Sequence, residues 1–280
     1  MMASVVLFSL MGVAVKSLRE IPLSQVVFFR AVISLALGYV QIRGLGISPW
    51  GNQKRALVVR GLIGTTGLFC YFYTLQHLAF AEAVTIQYLS PIFSAIVAIA
   101  FLREEATAWQ WFFLLGGFFG VWLMKGAIPA STGFALWIGL IGAVSSAFAY
   151  SLVRKIARRD HPYVIVFYFP LVTLPIVAPF AYAQWVTPTA WQWAGLVSVG
   201  LFTHFGQIFM TRAYQLDKIT STTQLNYLQI VFATVLGAVI FHEIIAPRTI
   251  VGIILIVAAS LLSTLPWVKG RRRPVRGAAA

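Results

Sequence analysis

Residues 76–93 read QHLAFAEAVTIQYLSPIF, and residues 215–232 read QLDKITSTTQLNYLQIVF. The two stretches align when the chain is shifted by 139 positions, and the match extends over segments 71–104 and 210–243. The identical pairs are Gln76 and Gln215, Tyr88 and Tyr227, Leu89 and Leu228, Phe93 and Phe232, and Glu104 and Glu243. Matches that share one register across a helix–loop–helix unit indicate an internal duplication.

Long apolar stretches surround this duplicated unit on both sides. The chain has 280 residues, of which 60% are hydrophobic and 10% are charged, whereas a soluble domain carries about 25% charged residues. This composition excludes an ordinary soluble enzyme and a disordered chain. A helix needs ~20 apolar residues to cross a bilayer, whereas barrel strands are about half that length. We predict ten spans at 2–17, 22–42, 55–76, 81–102, 108–125, 133–154, 162–183, 190–213, 219–241 and 247–267.

The duplication divides the ten predicted spans into two sets of five. Because five is an odd number, the second set enters the membrane in the opposite direction to the first. We therefore predict an all-α polytopic membrane protein with ten transmembrane helices in two inverted five-helix repeats. The first repeat is expected at 1–127, the second at 133–268, and a basic tail at 269–280. Inverted repeats are typical of transporters with a site near the bilayer midplane.

The basic residues predict the orientation of these spans. With the N-terminus in the cytoplasm, fifteen Lys and Arg residues fall in inside loops and four in outside loops. This asymmetry follows the positive-inside rule, so both termini are expected to be cytoplasmic. The net charge of +14 is thereby explained by topology and lipid contact, and no nucleic-acid partner is expected.

Several motifs in the chain resemble the EamA signature of the drug/metabolite transporter superfamily. The first copy comprises Leu78-Ala79-Phe80-Ala81-Glu82-Ala83, Tyr88-Leu89-Ser90-Pro91-Ile92-Phe93, Leu102-Arg103-Glu104-Glu105 and Gly116-Gly117. The second copy runs from Thr220 through Tyr227-Leu228 to Phe241-His242-Glu243, with Ile230 in place of Pro91. Phe28-Phe29-Arg30-Ala31 is similar to the arginine-bearing second helix of that family. The resemblance covers nearly the whole chain as two EamA units, which implies ten helices in inverted repeats.

Among members of this family, the chain is most similar to bacterial amino-acid exporters of the YddG type. That resemblance implies an inner-membrane transporter that exports small amphipathic metabolites, above all amino acids including aromatic ones, by alternating access through a central cavity. Other members carry riboflavin, S-adenosylmethionine or nucleotide sugars, so uptake or export of another metabolite or of a drug stays open. We expect a small-molecule substrate, a lipid bilayer around the protein and no cofactor.

Polar side chains within the spans predict where the substrate binds. Such side chains are costly in lipid and tend to face a cavity or a partner helix. The 139-residue shift pairs Thr65 with His204 and Gln87 with Asn226, so the polar faces of the two repeats coincide. We predict a substrate-binding set of Tyr71, Gln87, Tyr88, Tyr150, His204, Gln207, Thr211, Asn226 and Tyr227. For each residue the alternative is a hydrogen bond between helices, and for the tyrosines, Tyr71 above all, it is also a position in the aromatic belt at the membrane interface.

The charged residues within or near the spans are predicted to lie outside the substrate-binding set. Arg30 lies near the outer end of its span and Arg60 near the cytoplasmic end of the next, so both are expected to extend to the interface. Glu243 and its repeat equivalent Glu104 are expected to pair with a neighbouring Arg or a helix N-terminus. No Asp or Glu lies near the middle of a span, which favours facilitated transport unless His204 relays protons.

Small residues predict close helix packing. Gly61, Gly64 and Gly67 form a ridge in the third span, and Gly116 and Gly120 form a GxxxG pair in the fifth. Such pairs let helix backbones approach each other within one chain or across a dimer. A monomer or a weak homodimer is therefore expected.

The sequence contains little that would support an enzyme. The four histidines are scattered, and neither an HExxH nor a CxxC motif occurs, so no catalytic or metal site is expected. Asp160 and His161 are adjacent, but Pro162 follows them, which favours a cap at the start of a helix over a catalytic pair.

Overall fold

The computed structural model describes residues 2–90, 93, 112, 115–116, 119–120, 122–123, 133–156, 159–216 and 228–263. All regular secondary structure in these ranges is helical. The described helices are α1 (Met2–Ser17), α2 (Leu23–Gly44), α3 (Lys54–His77), α4 (Phe80–Gln87), α5 (Gly133–Ile156), α6 (Pro162–Ala183), α7 (Ala190–Leu216), α8 (Leu228–Phe241) and α9 (Pro247–Ser263). The predicted all-α class is confirmed for this part of the chain.

Except for α4, the described helices agree with the predicted spans within the described ranges. Within the described ranges, five helices are long and apolar enough to cross a membrane, namely α2, α3, α5, α6 and α7. Helix α1 and most of α8 and α9 are also apolar but are shorter. Most of the fifth predicted span, 108–125, lies outside the described residues, although its described positions are helical. These lengths and compositions are typical of a multi-pass membrane protein.

The predicted Asp160-His161-Pro162 cap lies at the start of α6 and contacts the start of α3. The Asp160 carboxylate accepts hydrogen bonds from the backbone N–H groups of Asn52 and Gln53, at the start of α3. His161 is the N-cap of α6, and its Nδ1 accepts from the backbone N–H of Tyr163 at 3.4 Å. Burial and the charge of Arg212 lower the pKa of His161, which favours the neutral ring that this acceptor requires. The prediction of a helix cap is confirmed.

Close packing of α3 depends on its glycine ridge. A Cβ added at Gly61 would lie 2.7 Å from Val172 Cβ on α6, and one added at Gly67 would lie 3.0 Å from Ser146 Oγ on α5. A methyl group would displace Val172 at Gly61 and would require Ser146 to shift at Gly67, so the predicted close packing at this ridge is confirmed. A Cβ on Gly120 would approach the carbonyl oxygen of Gly252 to 2.8 Å, which places one member of the GxxxG pair in a contact within the chain.

Helix α4 is shorter than the fourth predicted span. It ends at Gln87, and Tyr88 and Leu89 form a turn. The backbone N–H of Leu89 bonds the carbonyl of Ile86 at 3.1 Å, in the i to i−3 pattern of a tightened turn. Because Pro91 has no N–H, the carbonyl of Gln87 cannot receive its usual α-helical donor. The predicted fourth span, 81–102, is therefore interrupted by a turn at Tyr88 and Leu89. Ser90 and Phe93 are helical, and positions 91–92 and 94–102 lie outside the described residues.

Candidate functional site

A cavity of about 140 Å³ lies among helices from both halves of the chain. Each of the helices α1 to α8 contributes at least one lining residue. The lining combines aromatic and aliphatic side chains such as Phe8, Met11 and Phe72 with amide, hydroxyl and guanidinium groups. A mixed lining of this kind suits a small ligand that has an apolar body and a few polar groups.

The structure places five of the nine predicted binding residues around this cavity. These five are Tyr71, Gln87, Tyr88, Tyr150 and Gln207. His204 and Thr211 are buried but do not belong to the lining. Asn226 and Tyr227 lie outside the described residues. Substrate contact therefore stays a prediction for all nine, and the cavity gives it a physical basis for the first five.

Two hydrogen bonds join the end of α4 to helices from the second half of the chain. Gln87 Nε2 donates to Ser146 Oγ on α5 at 2.7 Å, and the Tyr88 hydroxyl donates to Gln229 Oε1 on α8 at 2.7 Å. These bonds hold the Gln87 and Tyr88 side chains at the turn that terminates α4. Across the cavity, the Oε1 atom of Gln207 is buried with no hydrogen-bond partner among the described residues, so it can accept from a ligand.

His204 packs against α2 instead of the cavity. Its side chain is 1% exposed, and its Nε2 lies 3.0 Å from Oε1 of Gln41. Its Nδ1 has no hydrogen-bond partner within the described ranges. The ring also contacts Phe205 in an edge-on arrangement. These contacts match the alternative of an interhelical hydrogen bond, and a neutral amide partner gives no support to a proton relay.

Arg30 and Arg60 line the cavity, so the expectation that they extend to the membrane interface is wrong. They are 2% and 4% exposed. Arg30 Nε donates to Thr203 Oγ1 at 3.2 Å, and Arg60 Nη1 donates to the carbonyl of Ile165 at 3.2 Å. Both guanidinium carbons lie 4.9 Å from the ring centroid of Phe169, within the range of a cation–π contact. The sequence did contain a signal for this position, because an ionisable residue within an apolar span by itself indicates a functional site.

Lys16 and Glu243 connect three segments at the end of the bundle where α1 and α3 finish. Lys16 Nζ lies 2.7 Å from Glu243 Oε1 and donates to the carbonyl of Leu78 at 2.5 Å. Glu243 Oε2 accepts from the backbone N–H of Phe80, the first residue of α4, at 2.7 Å. The predicted pairing of Glu243 with a helix N-terminus is confirmed, and its basic partner is a lysine. Glu104 lies outside the described residues.

The described part of the cavity lining offers binding groups. Among the described residues, the lining includes two arginines but no Asp, Glu, His or Cys side chain. Among the described residues, no group of three or more His, Cys, Asp or Glu side chains is placed to hold a metal ion. The hydroxyl, amide and guanidinium groups of the described lining can form hydrogen bonds with a ligand.

The chain is similar to known transport proteins over most of its length. The model of the EamA-like transporter family matches residues 1–126 and 133–265. The chain is 32% identical to the pseudopaline exporter CntI of Pseudomonas aeruginosa, over 91% of this chain and 90% of that protein. It is 26% identical to solute carrier family 35 member G1 of Mus musculus, over 96% and 78%. It is 25% identical to the S-adenosylmethionine uptake transporter of Rickettsia prowazekii, over 73% and 69%. A solved crystal structure shares the fold with a TM-score of 0.67 at 19% identity, over 94% of each chain.

Proposed function

The chain belongs to the EamA-like transporter family, and from that premise we propose that it exports small amphipathic metabolites across the bacterial inner membrane. Amino acids, including aromatic ones, are the proposed cargo, and alternating access through the central cavity is the proposed mechanism. The observation that carries this proposal is the cavity itself, which is lined by helices from both halves of the chain. A site shared by two halves is what a rocking-type transporter requires.

Helix contacts support an arrangement of two inverted five-helix repeats. Exchanging the repeats replaces α1 by α5, α2 by α6, α3 by α7 and α4 by α8. The contact of α1 with α7 then becomes the contact of α5 with α3, and both are present. The same holds for α2 with α7 and α6 with α3, and for α4 with α5 and α8 with α1. The contacts of α2 with α6 and of α4 with α8 map onto themselves. This pairwise exchange supports the proposed pseudo-two-fold relation between the repeats.

The two stretches that match the family model support repeat boundaries at 1–127 and 133–268. The proposed basic tail, 269–280, follows the second stretch. With fifteen basic residues predicted inside and four outside, the end of the bundle that holds Lys16 and Glu243 is the outer end. Asp160 and Arg212 then lie at the cytoplasmic end, together with both termini. The Lys16–Glu243 pair thus joins helices on the side to which cargo would be released.

The relatives suggest a second candidate cargo. One of them is an S-adenosylmethionine uptake transporter, and S-adenosylmethionine is itself an amino-acid derivative, so its uptake is the alternative to amino-acid export. The cavity volume of about 140 Å³ is similar to that of an engineered cavity of ~150 Å³ that binds benzene. This size favours a cargo with a single aromatic ring over a bulky nucleotide sugar or riboflavin.

Counterflow in proteoliposomes tests the proposal. Purified protein is reconstituted with unlabelled solute inside, and uptake of labelled Phe, Met, Thr, S-adenosylmethionine and riboflavin is measured. We expect counterflow of Phe and Met. Replacing Gly67 with Leu fills the lining next to Ser146, whereas Gly44→Leu adds a side chain where a Cβ meets nothing within 4 Å. Counterflow should therefore be lost in the first variant and kept in the second.

Two other outcomes of the counterflow measurement would overturn the proposed cargo. Counterflow of S-adenosylmethionine without Phe or Met would replace amino-acid export by the alternative cargo. Absence of counterflow for all five solutes, in protein that is monodisperse and retains its thermal transition, would contradict the proposed cargo class.

A further inference from the structure

We propose that Arg30 and Arg60, which both contact Phe169, bind the carboxylate of an organic anion or zwitterion in the central cavity. The inference deepens the proposed transport function and rests on it, because it names the chemical class of cargo that the same cavity takes. It assigns the carboxylate to the arginine pair, defined as Arg30 and Arg60, and the apolar body of the cargo to the aromatic part of the lining.

The arginine pair has no acidic partner in the part of the chain that the structure describes. The one ion pair found there joins Lys16 to Glu243. The other described acids are bonded elsewhere: Glu20 to Gln192, Glu82 to Thr249, and Asp160 to the backbone of Asn52 and Gln53. Two buried cations without a counter-ion are unfavourable, since a buried charge needs a partner of opposite sign. An anion in the cavity supplies that partner.

The hydrogen-bonding capacity of the pair is also incompletely used. A guanidinium group has five N–H donors in a planar fork. Among the described residues, Arg30 donates one hydrogen bond, to Thr203, and Arg60 donates one, to Ile165. The buried Arg30 Nη1 and Arg60 Nε have no partner in this part of the chain. A carboxylate has two oxygens that accept several hydrogen bonds, so it complements donors arranged in this way.

Phe169 brings the two guanidinium groups into one site. Each guanidinium carbon lies 4.9 Å from the centroid of the Phe169 ring. The two carbons are therefore at most twice that distance apart, and a single anion lies within the field of both. Arg30 is on α2 and Arg60 on α3, whereas Phe169 is on α6. The site thus bridges the two proposed repeats, where a bound anion can influence how they pack.

The remaining lining distinguishes an organic carboxylate from an inorganic oxyanion. Phe8, Met11, Leu68 and Tyr71 line the same cavity. A free phosphate or chloride ion gains nothing from these apolar surfaces, whereas an aromatic carboxylate buries its ring against them. We therefore assign the site to molecules that combine a carboxylate with an apolar body, and we expect their uncharged amides to bind poorly.

Thermal stabilisation of the purified protein in detergent tests this assignment without requiring transport. Sodium phenylacetate, phenylacetamide and inorganic phosphate are titrated at constant ionic strength set with sodium chloride, and Kd is taken from the rise in Tm. We expect saturable stabilisation by phenylacetate, with a Kd about tenfold or more below that of phenylacetamide, the ratio expected for a lost charge-assisted contact. Equal stabilisation by acid and amide, or none by phenylacetate, would overturn the proposal. Stabilisation by phosphate as strong as by phenylacetate would overturn the organic part of it.

Single substitutions test whether the preference for phenylacetate over phenylacetamide depends on the arginine pair. Arg60→Gln should abolish the preference for the acid, whereas Arg60→Lys should retain part of it. Arg43→Gln is the control, because Arg43, on the same helix as Arg30, also contacts an aromatic ring, that of Tyr39, but is exposed. If Arg60→Gln does not fold, the preference of the unmodified protein for phenylacetate over phenylacetamide still decides the question.

Failure of this inference is distinguishable from failure of the transport proposal. Equal counterflow of Phe and its amide would reject the carboxylate site and leave transport intact. Selective binding of phenylacetate, combined with no counterflow of any solute tested, would reject the proposed cargo class and leave the carboxylate site intact.

Discussion

Lys16 and Glu243 form a buried ion pair, with Lys16 Nζ 2.7 Å from Glu243 Oε1, that joins α1 to the connection between α8 and α9. The Lys16 side chain is completely buried, and that of Glu243 is 14% exposed. The second oxygen of Glu243 accepts from the backbone N–H of Phe80. One carboxylate thus holds a cation and a helix N-terminus at a junction of elements from both halves of the chain.

Replacing Glu243 with Gln should destabilise the protein strongly. The amide can still accept from Phe80, but it leaves the buried Lys16 charge without its counter-ion. We expect the free energy of unfolding to fall by about 3–5 kcal/mol, the usual consequence of breaking a buried pair from one side. Denaturant unfolding in detergent micelles measures the change.

A double variant and a control make this test specific. Lys16→Met combined with Glu243→Gln removes both charges and should recover most of the lost stability. Glu20→Gln is the control, since Glu20 is exposed and bonds the Gln192 amide at the surface. If Glu243→Gln and Glu20→Gln had the same stability, the ion pair would not contribute to holding this junction.

Gly61 should not tolerate a methyl group. An alanine there would bring its Cβ to 2.7 Å from Val172 Cβ, so α3 and α6 would have to separate. We expect a loss of about 1–3 kcal/mol in the free energy of unfolding, as for other overpacked interiors. Gly44→Ala is the matched control, because it meets nothing within 4 Å and should be neutral or slightly stabilising. A Tm for Gly61→Ala equal to that of Gly44→Ala would contradict tight packing at the ridge.

Helix positions were predictable from the sequence because hydropathy is a property of consecutive residues. The third span was expected at 55–76 and α3 is Lys54–His77, while the seventh was expected at 162–183 and α6 has those limits. The turn that ends α4 after Gln87 was not placed, although Pro91 gave the signal. Proline disrupts the hydrogen bond of the residue four positions earlier, and the prediction extended the helix through that point.

The rotation of each helix about its axis was less predictable than its limits along the chain. Spacing along one helix grouped Gln207, which lines the cavity, with His204, which bonds Gln41 on α2. The environment of Arg30 depends on Phe169 on α6, and no local pattern reports a partner so distant in sequence. Which side chains meet in the cavity therefore required the tertiary structure.

Replacing Tyr88 with Phe should weaken both stability and transport. The hydroxyl donates to Gln229 Oε1 at 2.7 Å, and its removal leaves a buried acceptor without this donor. We expect a loss of about 1–3 kcal/mol in the free energy of unfolding. Counterflow of Phe should slow by roughly tenfold, the equivalent of ~1.4 kcal/mol in the barrier.

The control for this change is Tyr39→Phe. The Tyr39 hydroxyl accepts from the exposed Arg43 Nε at 3.0 Å, so its removal should change stability by less than about 0.5 kcal/mol. Counterflow by Tyr88→Phe at the unmodified rate, in protein of unchanged Tm, would show that the bond between α4 and α8 matters neither to folding nor to movement of the cargo.

Replacing His204 with Ala should leave the pH dependence of transport unchanged. His204 lies outside the cavity lining and bonds the neutral Gln41 amide, and no Asp or Glu occurs near the middle of a predicted span to continue a proton pathway. We expect a lower Tm, because the Gln41 oxygen loses its partner, but the same ratio of Phe counterflow at pH 6 to that at pH 8. The conservative variant His204→Gln should restore the Tm by donating to Gln41. A ratio that became pH-independent in both variants would instead assign proton movement to His204, whereas an unchanged ratio supports a carrier driven by the gradient of its cargo.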